Sequence, residues 1–492
     1  MRSLLRAVPI FCVLLLNIAE LSAQSIDTVL FEEVGRYQHP YVPFPDHFSA
    51  TTYSSKIDRL GRPYLYMACK DSGLMVLDIS DPSTPIVVHR HPPSEFEDLD
   101  VMNVEQVDDL LYVCLGNFQG GGQSAGLAIL DVSDPATPVV LDVWNGGTTY
   151  VQGSAIVRIT GDRAYLGAME DGLIVLDVDD PSQIGFVSAY QPDPTWPGIA
   201  SYAPNARGMA IADDLLLLAY DAGGLRAIDI STPSAPSEIG RYLNPDIPIL
   251  TNPAYNNVVV IGERAYCTID YCGIEVVDIS DPANMAQVAW LNPWNCIGFS
   301  WFGSDGHTNE IVSSMGDSLL FVSGGDSEIL AYDITNADLP VLKGGWILPN
   351  DTAATWGVDV HGDLAVGNFI NNHGLPAQPY DSKYGGVVIF EWTPEFSTQV
   401  PQPACFGPAA IGVWPNPSTG VFNAGGSTDR TAQGVLRVTD VLGHIVVERR
   451  VLALTEGWKE TLNLSEEGPG LYLVSIQTPN EYHRTIAVLR KE

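Results

Sequence analysis

The stretch GLMVLDISDPSTPIV, Gly73–Val87, has close copies along the whole chain. Each copy is a short apolar run that ends in an acidic residue, and in most copies a Ser, Asp and Pro-rich turn follows. The marker acids recur every 46 to 58 residues, at Asp78, Asp131, Asp177, Asp229, Asp278, Asp333 and Glu391. Similarity at a regular spacing of this length indicates a repeat architecture.

Each repeat contains the same four segments. In the third copy, the alternating run SAIVRITGD turns through Gly161 and Asp162 into RAYLGAM, which leads to the apolar run with the marker acid. A weaker fourth run closes the unit. Short β-branched and aromatic runs separated by Gly, Asp and Pro are typical of strands, and four strands per repeat make a propeller blade. The sequence therefore predicts an all-β protein with a seven-bladed β-propeller.

The repeated phrase itself has the chemistry of a turn. Proline follows the marker acid by four residues in five copies, at Pro82, Pro135, Pro181, Pro233 and Pro282. Proline presets its backbone angle, while Asp and Ser side chains bond the nearby backbone, so the phrase reverses the chain onto an outer strand. A metal or catalytic role for the repeated carboxylates is the alternative. We favour the turn, because each Asp is expected at the rim of a separate blade.

Closure of the ring requires a strand from the other end of the repeats. The last unit lacks the proline phrase and a clear fourth strand. The segment EEVGRYQHP from Glu32 nearly copies the fourth-strand segment SEIGRYLNP from Ser237. Because an open ring leaves unpaired edges, we expect residues 29–37 to complete the blade that contains Glu391. The propeller is then expected to span residues 24–393.

The repeated phrase resembles LVIVD repeats, a family of extracellular bacterial proteins expected to form β-propellers. The resemblance covers residues 64 to 392. The sixth copy departs from it by lacking the leading Gly and the first Pro, and the seventh lacks both prolines. The resemblance implies fold and export, whereas activity does not follow from fold.

The first residues predict a signal peptide at residues 1–23. Arg2 and Arg6 precede the apolar run Val8–Leu16, and Leu21-Ser22-Ala23 is a small-residue cleavage signal. A membrane anchor is the alternative, but the run is shorter than the roughly 20 residues that a spanning helix needs. No later segment has the pattern of a transmembrane helix.

The end of the chain has a different pattern, which predicts a linker at residues 394–408 and a small β-sandwich at 409–492. The latter closely resembles the type A C-terminal sorting domain of type IX secretion, found in Bacteroidetes and relatives. The resemblance depends on PNPSTG at 415–420, Asp440 with Gly443, PGLY at 469–472, and Arg490-Lys491. It implies the secretion machinery as a partner and delivery to the cell surface or the medium. A carbohydrate-binding sandwich is the alternative, which the PNPSTG opening disfavours.

Charge and cysteine content narrow the classes of partner. The formal net charge is -35, and it falls on residues 24–403. Because such a surface repels phosphate backbones, nucleic-acid binding is excluded. Cys267 and Cys272 flank a predicted turn and are candidates for a disulfide. Their spacing does not match a zinc site, and the sequence indicates no cofactor.

Two groups of side chains are candidates for ligand binding. Loops between blades carry the aromatic residues Trp196, Trp294, Trp301 and Trp356, and loops on a rigid scaffold often bind ligands. A second group is expected near the central channel because it begins innermost strands: Arg207, His307, Asn309 and Glu310, together with Trp356. The alternative for the rings is packing within loop cores, and for GHTNE at 306–310 it is local hydrogen bonding.

Two classes of function remain open. The first is a binding module that presents an aromatic loop face to a glycan, a peptide or a surface partner. The second is a hydrolase or lyase with an active site in the central channel. The sequence contains no nucleophile elbow, phosphate loop, calcium loop or zinc-ligand helix, and no catalytic or metal-ligating residue is assigned. The lack of a paired acid/base motif favours binding.

Overall fold

The computed structural model of the protein describes residues 26–396 and 411–490, with gaps. The gaps are 41, 43–50, 118–121, 199–202, 248–253, 292–306, 325–327, 348–352, 372, 374–381, 415–419, 427–431, 441–443, 454–457, 466, 468–469, 478–481 and 485–487. The predicted signal peptide and most of the predicted linker lie outside the described residues.

Seven groups of strands follow the seven sequence repeats, and the first strand, β1 (Ile26–Gln38), belongs to the last group. Five groups are four-stranded antiparallel sheets whose strands are paired in chain order. These strands are β2 (Ser54–Ile57), β3 (Tyr64–Ala68), β4 (Leu74–Asp78), β5 (Ile86–His91), β6 (Val101–Val107), β7 (Leu110–Leu115), β8 (Gly126–Asp131), β9 (Val139–Asn145), β10 (Ile156–Thr160), β11 (Arg163–Gly167), β12 (Leu173–Asp177), β13 (Gly185–Tyr190), β14 (Gly208–Ala212), β15 (Leu215–Ala219), β16 (Leu225–Asp229), β17 (Ser237–Tyr242), β18 (Tyr255–Ile261), β19 (Arg264–Ile269), β20 (Gly273–Asp278) and β21 (Ala286–Leu291). Short 3₁₀ turns occupy Pro93–Glu95, Asp270–Cys272 and Pro282–Asn284.

The last two blades share a continuous run of hydrogen-bonded strands. They contain β22 (Ile311–Ser314), β23 (Leu319–Gly324), β24 (Glu328–Asp333), β25 (Val341–Ile347), β26 (Ala354–His361), β27 (Leu364–Ile370) and β28 (Gly386–Phe396). The order is β22-β23-β24-β25-β1-β28-β27-β26, so β1 lies beside β28. A parallel bridge between Val29 and Gly344 joins β1 to the outer strand of the preceding blade. Residues 29–37, expected to supply the missing fourth strand, lie within β1.

The inner strands of the blades form a closed circle. In chain order, β2, β6, β10, β14, β18, β22 and β26 each contact the next, and β26 contacts β2. Apolar side chains from neighbouring sheets fill the space between blades. For example, Tyr66 and Val76 of the first blade share one buried cluster with Val104 and Val113 of the second. The prediction of an all-β, seven-bladed propeller is confirmed.

The marker aspartates build turns, as the sequence predicts. In each of the first six repeats the marker Oδ1 accepts a hydrogen bond from the backbone N–H two residues on, at 2.8–3.1 Å. The acid three residues further on repeats this bond in several copies, as between Asp81 and the Ser83 N–H. Hydrogen bonds from the Ser80 side chain and the Ser80 N–H lower the pKa of Asp78, because they stabilise its ionised form. The repeated carboxylate therefore shapes the backbone.

At three blade junctions, a proline turn packs against the preceding blade. A Cβ built on Gly35 of β1 would overlap the Pro82 carbonyl oxygen of the first blade, and one on Gly240 of β17 would overlap that of Pro282. Between the third and fourth blades, the Ser188 hydroxyl donates to the Pro233 carbonyl at 2.6 Å. A small residue on each of these outer strands thus receives the next blade's turn. The phrase recurs because it both reverses the chain and joins neighbouring blades.

The cysteine pairing differs from the candidate pairing of Cys267 with Cys272. Cys267 is a free thiol, buried in the core around β19, and burial raises its pKa well above the ordinary value. Cys272, in the turn that follows β19, is disulfide-bonded, and its partner lies outside the described residues. The side chain of Cys267 is committed to the core between blades, which is why the hairpin spacing is misleading here.

The C-terminal strands form a compact unit separate from Ile26–Glu395. They are β29 (Ile411–Trp414), β30 (Val421–Gly426), β31 (Ala432–Asp440), β32 (Ile445–Ala453), β33 (Trp458–Asn463), β34 (Gly470–Gln477), β35 (Tyr482–Arg484) and β36 (Val488–Arg490). One sheet has the order β29-β30-β33, and the other has the order β32-β31-β34-β35 with β36 also paired to β34. Phe422 and Leu462 of the first sheet pack with Leu436, Val438 and Val474 of the second. The predicted β-sandwich is therefore confirmed.

Replacing Gly35 by Ala is expected to destabilise the propeller by about 1–3 kcal/mol, because the new Cβ must displace the backbone at Pro82. Gly185→Ala is the matched control, because a Cβ there meets only Asp177 Cβ at 3.4 Å, and we expect a change within about 0.5 kcal/mol. Chemical denaturation of the two variants checks this. Equal stability of both would show that the turn does not pack closely on β1.

Candidate binding site at the channel mouth

The starts of the seven inner strands surround a single concave site, which we call the channel-mouth pocket. Every blade contributes to it. Its lining residues are Tyr53, Met102, Asn103, Ala155, Ile156, Arg207, Asn256, Asn257, Asn309, Glu310 and Trp356. Its empty volume, which includes space open to solvent, is about 410 Å³.

Four of the predicted site residues lie together in the channel-mouth pocket: Arg207, Asn309, Glu310 and Trp356. They come from three blades and are up to 149 positions apart along the chain. Arg207 and Glu310 directly precede β14 and β22, and Trp356 lies near the start of β26. The propeller brings equivalent inner-strand positions to one end of its channel, and this is why residues distant in sequence meet.

Aromatic and cationic groups form one wall of the pocket. Trp356 is 7% exposed, and its ring meets that of Tyr53 edge to face at a centroid distance of 5.3 Å. The Arg207 guanidinium carbon lies 5.9 Å from the Trp356 ring centroid, within the range of a cation–π interaction. The stack holds the positive charge of Arg207 in the pocket.

His307 packs against Trp356 of this wall but does not line the pocket. It is 1% exposed, stacks on Tyr271 at 6.1 Å and meets the Trp356 ring at 5.6 Å. Burial, together with the positive charge of Arg207, lowers the pKa of His307 to about 3. The ring is therefore neutral at neutral pH, and its Nδ1 lies against Oδ1 of Asp270.

The segment from His307 to Glu310 is held by the neighbouring blade. The Thr308 hydroxyl donates to the Ile269 carbonyl at 2.9 Å, and Thr268 donates to the Asn309 carbonyl at 2.7 Å. Asn256 Nδ2 donates to both the Thr308 carbonyl and Asn309 Oδ1, at 2.8 and 2.9 Å. Hydrogen bonding within the protein, the alternative considered for this segment, accounts for Thr308, although its partners lie in the neighbouring blade.

Asn309 retains unused hydrogen-bonding capacity. Its side chain is oriented by the bond from Asn256 to Oδ1. Its Nδ2 is buried and has no hydrogen-bond partner among the described residues, although Asn309 is only 5% exposed. A buried donor without an acceptor costs about 1–3 kcal/mol, so this amide favours an acceptor supplied from outside the protein.

Glu310 is a second polar group with an unusual setting. Its Oε2 accepts the Val358 N–H at 3.0 Å, and the Ser54 hydroxyl lies 3.4 Å from Oε1. The carboxyl sits where a Cβ of Gly357 would be, so only glycine allows this approach. Burial raises the pKa of Glu310 to about 7, against the opposing effect of Lys56. The carboxyl is therefore protonated in mildly acidic solution and half ionised near neutrality.

Ion pairs lie further along the same inner strands, and sequence patterns did not single them out. Asp359 of β26 accepts from Lys56 of β2 at 3.3 Å and from Arg59 at 2.5 Å. Burial alone would raise the pKa of Asp359, but these two cations outweigh it and hold the pKa below its usual value. Arg158 pairs with Glu105 at 3.1 Å. The signal for these ion pairs that the sequence offered was a polar residue at every second position of the inner strands.

Of the predicted aromatic loop residues, Trp356 lines the channel-mouth pocket and Trp196 lies elsewhere. Trp196 lies between two guanidinium groups, at 4.9 Å from Arg226 and 5.4 Å from Arg241. Arg226 is fully buried and pairs with Glu238 at 2.9 Å, so this stack anchors the loop to the fourth blade. Trp196 does not line the channel-mouth pocket. Trp294 and Trp301 lie outside the described residues.

Within the parts of the chain that the structure describes, no group of three or more His, Cys, Asp or Glu is arranged to hold a metal ion. The channel-mouth pocket instead combines amides, one guanidinium, one carboxyl and aromatic rings, a set that favours hydrogen bonding to a polar organic ligand.

Comparison with solved structures supports the fold. The WD40 repeats of RRP9 are 10% identical to the chain, cover 74% of it and 100% of their own length, and give a TM-score of 0.52. The C-terminal WD40 domain of Sif2 is 11% identical, with coverage of 74% and 99% and a TM-score of 0.47. No curated protein matches the chain. At these identities the likeness concerns architecture alone, and WD40 repeats form propellers.

Comparison with protein families identifies both parts of the chain. The fold and the channel-mouth pocket define a repeat-built β-propeller followed by a separate β-sandwich. Residues 62–91, 115–143, 153–191, 204–244 and 255–290 match the LVIVD repeat, and residues 412–488 match the secretion system C-terminal sorting domain. The chain is therefore an LVIVD-repeat β-propeller protein with a type IX sorting domain. The matched repeats end before the two blades whose phrases depart from the pattern.

The sorting domain determines where the protein acts. Proteins that carry it are exported by type IX secretion, so this one is secreted or displayed at the cell surface. In the described part of the chain, no helix is long and apolar enough to cross a bilayer.

Replacing Glu310 by Gln is expected to flatten the dependence of stability on pH. The folded pKa of about 7 lies above the ordinary value of 4.5, so the unfolded chain releases this proton first as pH rises. The wild-type protein should therefore lose up to about 2 kcal/mol more than the variant between pH 5 and pH 7.5. Lys56, Arg158 and Asp359 face the same carboxyl and are unchanged in the variant.

Denaturant titrations of the two proteins at both pH values measure this difference. Glu33→Gln, at an exposed position of β1, is the control and should behave as wild type. Parallel curves for wild type and Glu310→Gln would contradict an elevated pKa of Glu310.

Proposed function

We propose that the protein is an exported binding module whose propeller captures an extracellular ligand in the channel-mouth pocket. The observation that carries this proposal is the buried Nδ2 of Asn309, a donor without a described partner in a pocket shared by all seven blades. The ligand classes that fit are a glycan, a peptide or a surface partner. Asn309 offers a hydrogen-bond donor, Arg207 a positive charge and Trp356 an apolar surface.

The setting of the pocket supports ligand capture. Its walls are the ends of strands held in rigid sheets, and sites on rigid elements lose little entropy when a ligand binds. Further along the channel, Asp359 pairs with both Lys56 and Arg59, and Arg207 is the cation that lines the pocket itself. The aromatic loop residues Trp196, Trp294 and Trp301 remain candidates for contacts with a larger ligand.

A second candidate function is a hydrolase or lyase, and the elevated pKa of Glu310 favours it. A buried carboxyl with a pKa near 7 in a concave site suits a group that transfers a proton. A ligand identified for the pocket should then be converted to products, and Glu310→Gln should abolish conversion while leaving binding intact. Recovery of unchanged ligand after prolonged incubation would leave binding as the function.

Glycan and peptide arrays probed with the purified full chain test the proposal. A ligand of the channel-mouth pocket should bind the double variant Asn309→Ala/Trp356→Leu at least 10-fold more weakly than wild type, because a donor and an apolar wall are lost. The control is Trp144→Leu/Asn145→Ala, which changes the same residue types on the outer strand β9. It should bind as wild type does.

Two checks keep the result interpretable. Thermal melts show whether each variant is folded, and Asn309→Ala alone serves if the double variant is not. If no ligand on the arrays distinguishes the pocket variants from wild type, or if the outer-strand control weakens binding equally, the channel-mouth pocket is not the binding site.

A further inference from the structure

The starts of three inner strands direct a side chain into the channel-mouth pocket by means of a β-bulge. In β6, β18 and β26 the register of strand pairing shifts, and the residues left without a paired partner are Met102, Asn256 and Trp356. All three line the pocket. A bulge turns a side chain away from the regular alternation of a strand and is frequent beside binding sites. The backbone is therefore shaped to present side chains at this mouth.

The pocket has an apolar half and a polar half, which follow the order of the blades. The seventh, first, second and third blades are neighbours in the closed ring, and they contribute Trp356, Tyr53, Met102, Ala155 and Ile156. The fourth, fifth and sixth blades contribute Arg207, Asn256, Asn257, Asn309 and Glu310. Asn103 of the second blade adds an amide to the apolar half. A ligand that fits this pocket is apolar on one side and forms hydrogen bonds on the other.

The two halves meet closely at the junction of the sixth and seventh blades. Glu310 of the sixth blade accepts the Val358 N–H of the seventh at 3.0 Å. Its carboxyl lies against Gly357, the residue that follows Trp356. Asn309 precedes Glu310 in the chain. An amide, a carboxyl and an aromatic ring are therefore adjacent at this junction.

The orientation of the Asn309 amide is fixed by the neighbouring blade. Asn256 Nδ2 donates one hydrogen to the Thr308 carbonyl at 2.8 Å and the other to Asn309 Oδ1 at 2.9 Å. Because a carbonyl only accepts, turning the Asn309 amide over would place two amide N–H groups face to face. Asn309 Nδ2 therefore remains a donor, and it has no acceptor in the described structure. A ligand gains affinity here if it supplies that acceptor.

Glu310 provides the complementary acceptor. Its carboxyl oxygens accept the Val358 N–H and the Ser54 hydroxyl, and a carboxylate can accept about four hydrogen bonds in all. Burial raises the pKa of Glu310 to about 7, so the group is partly ionised near neutrality and disfavours an anion beside it. The matching ligand group is therefore uncharged and carries both an acceptor and a donor.

Arg207 has interactions within the protein and is given no contact with this ligand group. Its guanidinium carbon lies 5.9 Å from the Trp356 ring centroid. Burial raises the pKa of Asp221, and the charge of Arg207 partly offsets this effect. Recognition is therefore assigned to the junction of the sixth and seventh blades.

We propose that the channel-mouth pocket binds the acetamido group of an N-acetylated amino sugar. This inference depends on the proposed binding function and names its ligand class. The acetamido carbonyl accepts from Asn309 Nδ2, the acetamido N–H donates to the Glu310 carboxyl, and the methyl group packs on Trp356. Tyr53 and Met102, which share a buried cluster with Trp356, extend this apolar surface. One planar group thus supplies the acceptor, the donor and the apolar end that the junction matches.

The closed ring of blades favours a terminal group over a chain that passes through. All seven blades contribute to the pocket wall, so a ligand enters end-on along the channel. A backbone amide of a peptide is flanked by residues on both sides, whereas an acetamido group ends in a free methyl. The sugar ring also carries apolar C–H groups, which pack favourably on an aromatic side chain. An N-acetylated sugar therefore fits this site better than a peptide does.

Calorimetric titration of the full chain with matched trisaccharides tests this inference. The N-acetylglucosamine trimer is compared with the glucose trimer of the same linkage, and a trisaccharide that ends in N-acetylgalactosamine is compared with its galactose-ending counterpart. At least one acetamido sugar should bind about 10-fold more tightly than its counterpart, because a hydrogen bond and a buried methyl are gained. An N-acetylated tripeptide should bind about 10-fold more weakly than that sugar.

The substitution Asn309→Asp locates the recognition. It keeps the oxygen that accepts from Asn256 and removes the donor, with almost no change in shape. The preference for the acetamido sugar over its counterpart should fall about 10-fold, to near equality. Thermal melts show whether the variant is folded, and Asn309→Ala should abolish the same preference if Asn309→Asp is not.

Asn336→Asp is the matched control in the same blade. Asn336 is exposed in the turn after β24, and its Oδ1 accepts the Asp338 N–H at 3.2 Å. An aspartate makes the same bond at the equivalent position of the first repeat, Asp81. This variant should keep the full preference for the acetamido sugar.

The possible failures differ in meaning. If neither acetamido sugar binds more tightly than its counterpart, or if Asn309→Asp keeps the preference, the acetamido assignment is overturned. Tighter binding of the acetylated tripeptide than of both acetamido sugars overturns the sugar assignment. In each case the proposed binding function stands when the arrays provide another ligand that is sensitive to Asn309→Ala. If no ligand at all depends on the pocket, both proposals fail.

Discussion

The propeller depends on the pairing of its first strand with its last. β1 lies beside β28, so the beginning and the end of the repeat region are hydrogen-bonded into one sheet. The inner strands consequently form a full circle, from β2 round to β26 and back. Without this pairing the last blade would have an unpaired edge, and closed all-β folds exist largely because they remove such edges. The channel-mouth pocket needs the circle, because every blade contributes to its wall.

The contacts between blades extend the same constraint. The proline turn of a blade can lie against a small residue on the outer strand of the preceding blade, as Pro82 does against Gly35. The Asp side chains that open each turn hold its shape through bonds to the backbone. The blades are thus joined at the inner circle of strands and, at three junctions, also at their outer strands.

The lining of the channel-mouth pocket comes from positions that differ between the repeats. The outer turns are nearly identical in most blades, whereas the inner-strand starts differ: Tyr53, Ile156, Arg207 and Trp356 occupy comparable places in different blades. A rigid scaffold of equivalent positions can therefore hold an unsymmetrical set of side chains. Their different chemistries converge on one pocket, and the neutral His307 and the buried Glu310 show how strongly that environment changes ionisable groups.

The amino-acid sequence alone was enough for the all-β class, the seven repeats and the turn role of the marker aspartates, because each has a local and repeated chemical pattern. The C-terminal sorting domain was identified by the resemblance of its spaced motifs to that family. It also pointed to Arg207, Asn309, Glu310 and Trp356 as strand-starting residues near a channel. Only the tertiary structure decided that Trp196 lies between two arginines and that His307 packs against Trp356 without lining the pocket. The tertiary structure also decided that Cys267 is a free thiol. The ion pair between Lys56 and Asp359 joins residues 303 positions apart, and Glu310 reaches its place only because Gly357 of another blade has no side chain. Distances of this kind are set by the closing of the ring, which no local pattern of residues encodes.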